Sequence, residues 1–84
     1  MHYLYILYSE KIDQFYVGVS HDPKLRLKYH NLGKKGWTKR GVPWIIVFTK
    51  QYQDESSAMK KERFIKSQKS QLFIKKIVNG EYTL

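Results

Sequence analysis

The chain has 84 residues, with 16 Lys and Arg against 7 Asp and Glu, 42% hydrophobic content and no cysteine. At that length only about 60–65% of the unfolded surface can be buried, which limits the fold to one sheet with a few helices and excludes two packed domains. The formal charge of +9 points to a polyanion as partner, and the lack of cysteine excludes a disulfide scaffold and a thiolate zinc site.

Residues 1–84 are therefore expected to form a single soluble domain. No segment approaches the roughly 20 apolar residues that span a bilayer, and Met1-His2-Tyr3-Leu4-Tyr5 has no cationic start leading into an apolar signal core. The expected location is the cytoplasm, away from membranes. The basic residues are spread along the chain instead of concentrated on one amphipathic helix, which favours nucleic acid over a lipid surface.

Tyr3 to Tyr8 is an aromatic and branched run of strand length, and Phe15-Tyr16-Val17-Gly18-Val19 is another, with a short polar link between them. This predicts a β-hairpin in which Tyr3, Tyr5 and Leu7 share one face, and Tyr16 and Gly18 share one face of the second strand. If those faces coincide, Tyr5 meets Tyr16. Asp22-Pro23 is an N-cap followed by proline at the first helical position and predicts a helix to Asn31 or Leu32, ended by Gly33. Leu25, Tyr29 and Leu32 are expected to face the core, with Arg26 and His30, four apart, pointing the same way along its border.

Gly33 to Gly41 contains three glycines and four basic residues, and reads as a flexible loop able to lie against a phosphate backbone. Pro43 opens a third strand, Trp44 to Thr49, whose unbroken apolar run predicts a central place in the sheet. Asp54 or a following serine caps a second helix to about Ser67, and a third runs from Ser70 or Gln71 to Val78, closed by Asn79-Gly80. The expected fold is α/β of the α+β type, a three-stranded antiparallel sheet flanked by three helices.

In the second helix Ala58, Glu62 and Ile65 stand at i, i+4 and i+7, so a carboxylate occupies the middle of an apolar stripe, with Lys60, Lys61, Arg63 and Lys66 around it. A phosphodiester hydrolase needs a carboxylate for a hard metal ion, a cation for the charge that develops on phosphorus, and a group to take a proton from water. Glu62, Arg26 and the tyrosine pair meet those needs. The sequence has no Walker-type phosphate loop, no His-Glu-x-x-His helix and no cysteine nucleophile.

With these residues in place, the chain resembles the GIY-YIG nuclease superfamily, named for two short strand motifs in a hairpin. Tyr3-Leu4-Tyr5 stands for the first and Tyr16-Val17-Gly18 for the second. Tyr16 stands eleven positions after Tyr5, Arg26 ten positions further on and His30 four beyond that. Tyr3 replaces the glycine of the first motif, which adds bulk at the substrate groove, while Leu4 and Val17 replace isoleucines and keep the strand packing. The likeness is greatest to the small stand-alone members.

The resemblance implies a metal-dependent endonuclease acting on DNA, single-stranded or structured, in preference to RNA. Arg26 would hold the scissile phosphate and Glu62 would bind one divalent ion, Mg²⁺ or Mn²⁺. Tyr5 and Tyr16 would be the water-activating and supporting hydroxyls, and family members differ over which is the base. His30 would orient the tyrosine or phosphate, and Asn79 would support the site or substrate. Lys34, Lys35, Lys39 and Arg40 would grip the backbone without reading sequence, and Trp37 would stack on an unpaired base or pack on the domain. A domain this small has little surface for specific readout, so a targeting protein is an expected partner. The alternative is a nucleic-acid-binding module that keeps the fold without cleavage.

Overall fold

The structure is a computed structural model that describes residues 1–32 and 36–84. In chain order it contains β1 (His2–Ser9), β2 (Gln14–Ser20), α1 (Pro23–Asn31), a 3₁₀ turn (Trp37–Gly41), β3 (Ile45–Tyr52), α2 (Glu55–Ser67) and α3 (Gln71–Val78). The three strands form one antiparallel sheet in the order β2-β1-β3. The expected architecture is the observed one. No described helix is long and apolar enough to cross a membrane.

Strand β1 is central because its alternating side chains are apolar on both sides. Leu4 and Ile6 point into a cluster with Val17, Ile65 and Ile77 beneath α2 and α3, whereas Tyr5 and Leu7 join Trp44 on the opposite side, where Leu27 of α1 closes over them. All four β1 residues are fully buried or nearly so. The catalytic candidates on the hairpin thus lie on the α1 side of the sheet, and the larger aliphatic core on the other.

The expectation that the third strand is central is corrected: β3 pairs only with β1 and forms an edge. Its apolar continuity has another cause. Pairing runs Ile6 with Phe48 but Leu7 with Ile46, so Val47 is an extra residue at a bulge, and Val47 and Phe48 both pack on the Leu4 and Ile6 cluster. A bulge breaks strict alternation, so neighbouring apolar residues can serve one face. Ile45, beyond it, is exposed.

The face assigned to α1 is also corrected. Leu25, Tyr29 and Leu32 are 57–59% exposed, while Leu27, partly buried, and His30, buried, turn inward. Leu25 and Leu27 lie about 200° apart on a helix, so only one can reach the sheet. The inward set is Pro23, Leu27, His30 and Asn31, at i, i+4, i+7 and i+8. Its polar members are tolerated because they find partners: Asn31 Oδ1 accepts the Trp44 N–H at 2.6 Å and its Nδ2 donates to the Trp44 carbonyl at 3.0 Å.

All three helices start on the residues that the sequence marks. Asp22, Asp54 and Ser70 accept from the backbone N–H of Leu25, Ser57 and Phe73 at 3.2, 2.7 and 3.1 Å. Residues 36–41 differ from the expected loop, since Trp37–Gly41 winds into a 3₁₀ turn entered at Gly36, whose φ of 81° favours glycine. Trp44 anchors that turn by donating its indole N–H to the Thr38 carbonyl at 2.7 Å.

Candidate active site

Tyr5, on the central strand, is paired with Gly18 on β2, and its ring lies across that glycine. A Cβ at Gly18 would stand 2.5 Å from the Tyr5 hydroxyl oxygen, so the second strand motif ends in glycine because the tyrosine of the first needs the space. Tyr16, two residues earlier on the same face of β2, stacks with Tyr5 at 6.3 Å between centroids and 28° between planes. The two tyrosines meet as the hairpin pattern predicts.

Helix α1 brings Arg26 and His30 to the same place. His30 Nε2 lies 3.4 Å from the Tyr5 hydroxyl and its ring is 4.5 Å from that of Tyr16. Burial holds the imidazole below its ordinary pKa and the nearby Arg26 charge lowers it further, so His30 is neutral at pH 7. In the Nδ1-protonated tautomer it accepts the Tyr5 O–H.

Burial likewise pushes the Tyr5 phenol above its ordinary value. The Arg26 guanidinium opposes this, Tyr16 and Glu62 add to it, and burial prevails. Tyr5 therefore keeps its proton near neutrality and acts as a hydrogen-bond donor. A cation beside a phenol favours its phenolate, and here Arg26 is outweighed by the cost of ionising a buried phenol. Arg26 is itself held more firmly in its charged form by Tyr5 and Tyr16.

Glu62 arrives from α2, held between the buried anchors Ala58 and Ile65. With Arg26, Ser20, His21, His2 and Glu55 it lines a cleft of about 370 Å³ at the β2 edge. Its side chain is only 19% exposed and its Oε2 accepts from Lys66 Nζ at 3.1 Å. The same ammonium stands 6.0 Å from the centre of the Tyr16 ring. Glu62 thus faces the cleft that contains Arg26, and of the cations near it in sequence Lys66 is the one that pairs with it.

A hard divalent ion fits this donor set. Among the described residues no three His, Cys, Asp or Glu come close enough to cage a metal. Mg²⁺ needs no such cage, since it is commonly held by one or two carboxylates together with waters and substrate phosphate oxygens. The half-buried Glu62 carboxylate, open to a cleft beside the phosphate-binding candidate Arg26, meets that requirement.

The remaining candidates are more dispersed. Lys39 and Arg40 are exposed on the 3₁₀ turn, and Lys34 and Lys35 lie outside the described residues. Asn79 caps the C-terminal end of α3, whose Ile77 packs on the aliphatic side of the sheet. It lines neither the Glu62 cleft nor the one beside Tyr16. Two supports of the site were not singled out from sequence for these roles: Gly18 as the space beneath Tyr5, and Asn31 as the clamp between α1 and β3. The Asn31 clamp has a faint signal, a polar residue at i+4 from an inward leucine.

A family model described as GIY-YIG catalytic domain matches residues 1–77. The chain is 32% identical over 77 residues to a UPF0213 protein of Staphylococcus haemolyticus, covering 90% of this chain and 93% of that protein. Its structure is similar to the solution NMR structure of a UPF0213 protein from Bacillus halodurans, with a TM-score of 0.59 and 28% identity over 93% of this chain and 82% of that one. Motif spacing, the tyrosine pair on the hairpin and the near full-length match agree, and the chain belongs to the GIY-YIG family of nuclease domains.

Proposed function

We propose that residues 1–84 act as one GIY-YIG domain, a metal-dependent endonuclease that hydrolyses phosphodiester bonds in DNA in the cytoplasm, brought to its substrate by a targeting protein. The observation that supports this reading is a pair of adjoining groups: Tyr5, Tyr16 and His30 in mutual contact, and Arg26, beside Tyr5, lining one cleft with Glu62. A binding module has no physical need for a half-buried carboxylate beside phosphates.

Each residue has a role set by its surroundings. Arg26, firmly charged, holds the scissile phosphate and stabilises the negative charge that grows on it during in-line attack by water. Tyr5 keeps its proton and donates a hydrogen bond to the phosphate or to neutral His30. Tyr16, less buried and beside the Lys66 ammonium, takes the proton from the attacking water as its phenolate. His30 fixes both rings. Mg²⁺ or Mn²⁺ at Glu62 supplies Lewis-acid stabilisation of the phosphoryl and leaving oxygens when bound.

The test is cleavage of single-stranded, duplex and branched DNA and of RNA, with Mg²⁺, Mn²⁺ or EDTA, by the native protein, Arg26→Ala and Glu62→Gln. Cleavage of DNA that EDTA abolishes and each substitution lowers by about 10²–10³-fold is the expected result. Cleavage untouched by both substitutions overturns the site. Salt-sensitive binding without cutting under any condition establishes the binding module instead.

A further inference from the structure

Beside the reacting group lies a second cleft, of about 610 Å³, whose walls include Tyr16, Tyr29, His30, Leu32, Trp37 and Thr38. Hydrolysis makes no use of its outer wall. Tyr29, Leu32 and Trp37 are 59%, 59% and 49% exposed, so three large apolar groups share one patch that folding leaves uncovered. They are not loose decorations. Trp37 meets buried Trp44 edge-on at 5.6 Å and 80° and lies 6.1 Å from Tyr16, which fixes its ring while half of it faces solvent. Tyr29 carries the Arg26 guanidinium 5.3 Å from its ring centre.

The elements that carry these aromatic residues also carry exposed cations. Lys28 is exposed on the last turn of α1, and Lys39 and Arg40 are exposed on the turn that bears Trp37. Fixed aromatic faces on elements that also bear exposed cations are the recognition chemistry of a nucleic-acid strand whose bases are free to stack. An apolar protein partner would use the rings but not the cations.

We infer that this cleft is a nucleobase subsite, which takes an unpaired base of a nucleotide flanking the scissile phosphate and stacks it on Trp37 and Tyr29. The position next to the scissile bond rests on the nuclease reading; the binding of a base does not. Tyr16 and His30 belong to both places, lining this cleft and contacting the group that contains Tyr5. A nucleotide with its phosphate at Arg26 therefore has its base at the cleft mouth. In a duplex that base is paired and stacked on its neighbours, so the subsite selects single-stranded segments.

The test is a binding measurement in EDTA, where no cleavage occurs, by fluorescence anisotropy of a short single-stranded DNA, the same strand with abasic residues, and the duplex. The native protein is expected to prefer the base-bearing strand by about tenfold over the abasic one. Trp37→Ala removes that preference without weakening abasic binding, and Trp37→Phe restores most of it. Tyr29→Ala, at an exposed site, provides the same reading if Trp37→Ala does not fold. Equal affinity for base-bearing and abasic strands, or equal weakening of both by the substitutions, overturns the subsite. In a parallel assay with Mn²⁺, absence of cleavage despite base-selective binding removes the nuclease reading and leaves the subsite standing.

Discussion

Gly18 and Tyr5 occupy one another's space: the strand glycine has no side chain, and the tyrosine ring fills the room where one would stand. Gly18→Ala would place a methyl carbon 2.5 Å from the phenol oxygen and 2.6 Å from the carbon that bears it. Tyr5 is 1% exposed, so its ring has little freedom to retreat. The substitution is expected to lower stability by about 1–3 kcal/mol, the usual range for overpacking, and to separate Tyr5 from His30. Urea unfolding followed by tryptophan fluorescence checks the first effect. An unchanged midpoint would mean that the ring moves aside freely.

Stability should fall at both ends of the pH scale, for opposite reasons. His30 has a depressed pKa in the folded chain, so its contribution is full above the ordinary imidazole value of 6.5 and is lost as pH falls through the lowered one. Tyr5 has a raised pKa, so its contribution is full below the ordinary value of 10.0 and is lost as pH rises through the raised one. Urea midpoints measured against pH should decline on each side. His30→Gln should flatten the acid limb alone, and Tyr5→Phe the alkaline limb alone.

If Glu62 binds the metal as proposed, Lys66 and the ion compete for the same carboxylate. The pair is an exposed i, i+4 contact on the lysine side, so its strength is of the order of 0.3–0.5 kcal/mol. Lys66→Ala should then lower the Mn²⁺ concentration at half-maximal binding by about twofold, whereas Glu62→Gln should abolish specific binding. Calorimetric titration of the metal into the free protein tests both. A weaker metal site in Lys66→Ala would contradict the competition.

Asn31 holds the end of α1 to the first residues before β3 through both backbone polar groups of Trp44. Asn31→Ala leaves that donor and acceptor without their partner, at a cost of about 1–3 kcal/mol. Asn31→Asp should also be destabilising, since its carboxylate still accepts the Trp44 N–H but sets an oxygen against the Trp44 carbonyl that Nδ2 donated to. Thermal unfolding of the three proteins gives the order, and an alanine variant as stable as the native chain would show that water replaces the clamp.

Local chemistry made much of this fold legible in the sequence. The caps at Asp22, Asp54 and Ser70, the hairpin and the shared direction of Arg26 and His30 all follow from neighbours a few residues away. What was illegible depends on distant partners. The apolar run after Trp44 looks central until the bulge at Val47 is known. In α1 two opposite faces each carry apolar residues, and the choice is made by Asn31 meeting Trp44 and His30 meeting Tyr5, partners 13 and 25 residues away in the chain. The depressed ionisation of Tyr5 is equally invisible, since it comes from burial.

The place of Tyr5 on β1 joins the chemistry to the folding cooperativity of the domain. Its backbone lies between two hydrogen-bonded neighbours, and the adjacent Leu4 and Ile6 plug the aliphatic core. Amides in such a strand exchange with solvent chiefly when the whole unit opens. A lid or loop can loosen an active site while the rest of a protein stays native, but the Tyr5 backbone can leave its place only when the sheet itself comes apart.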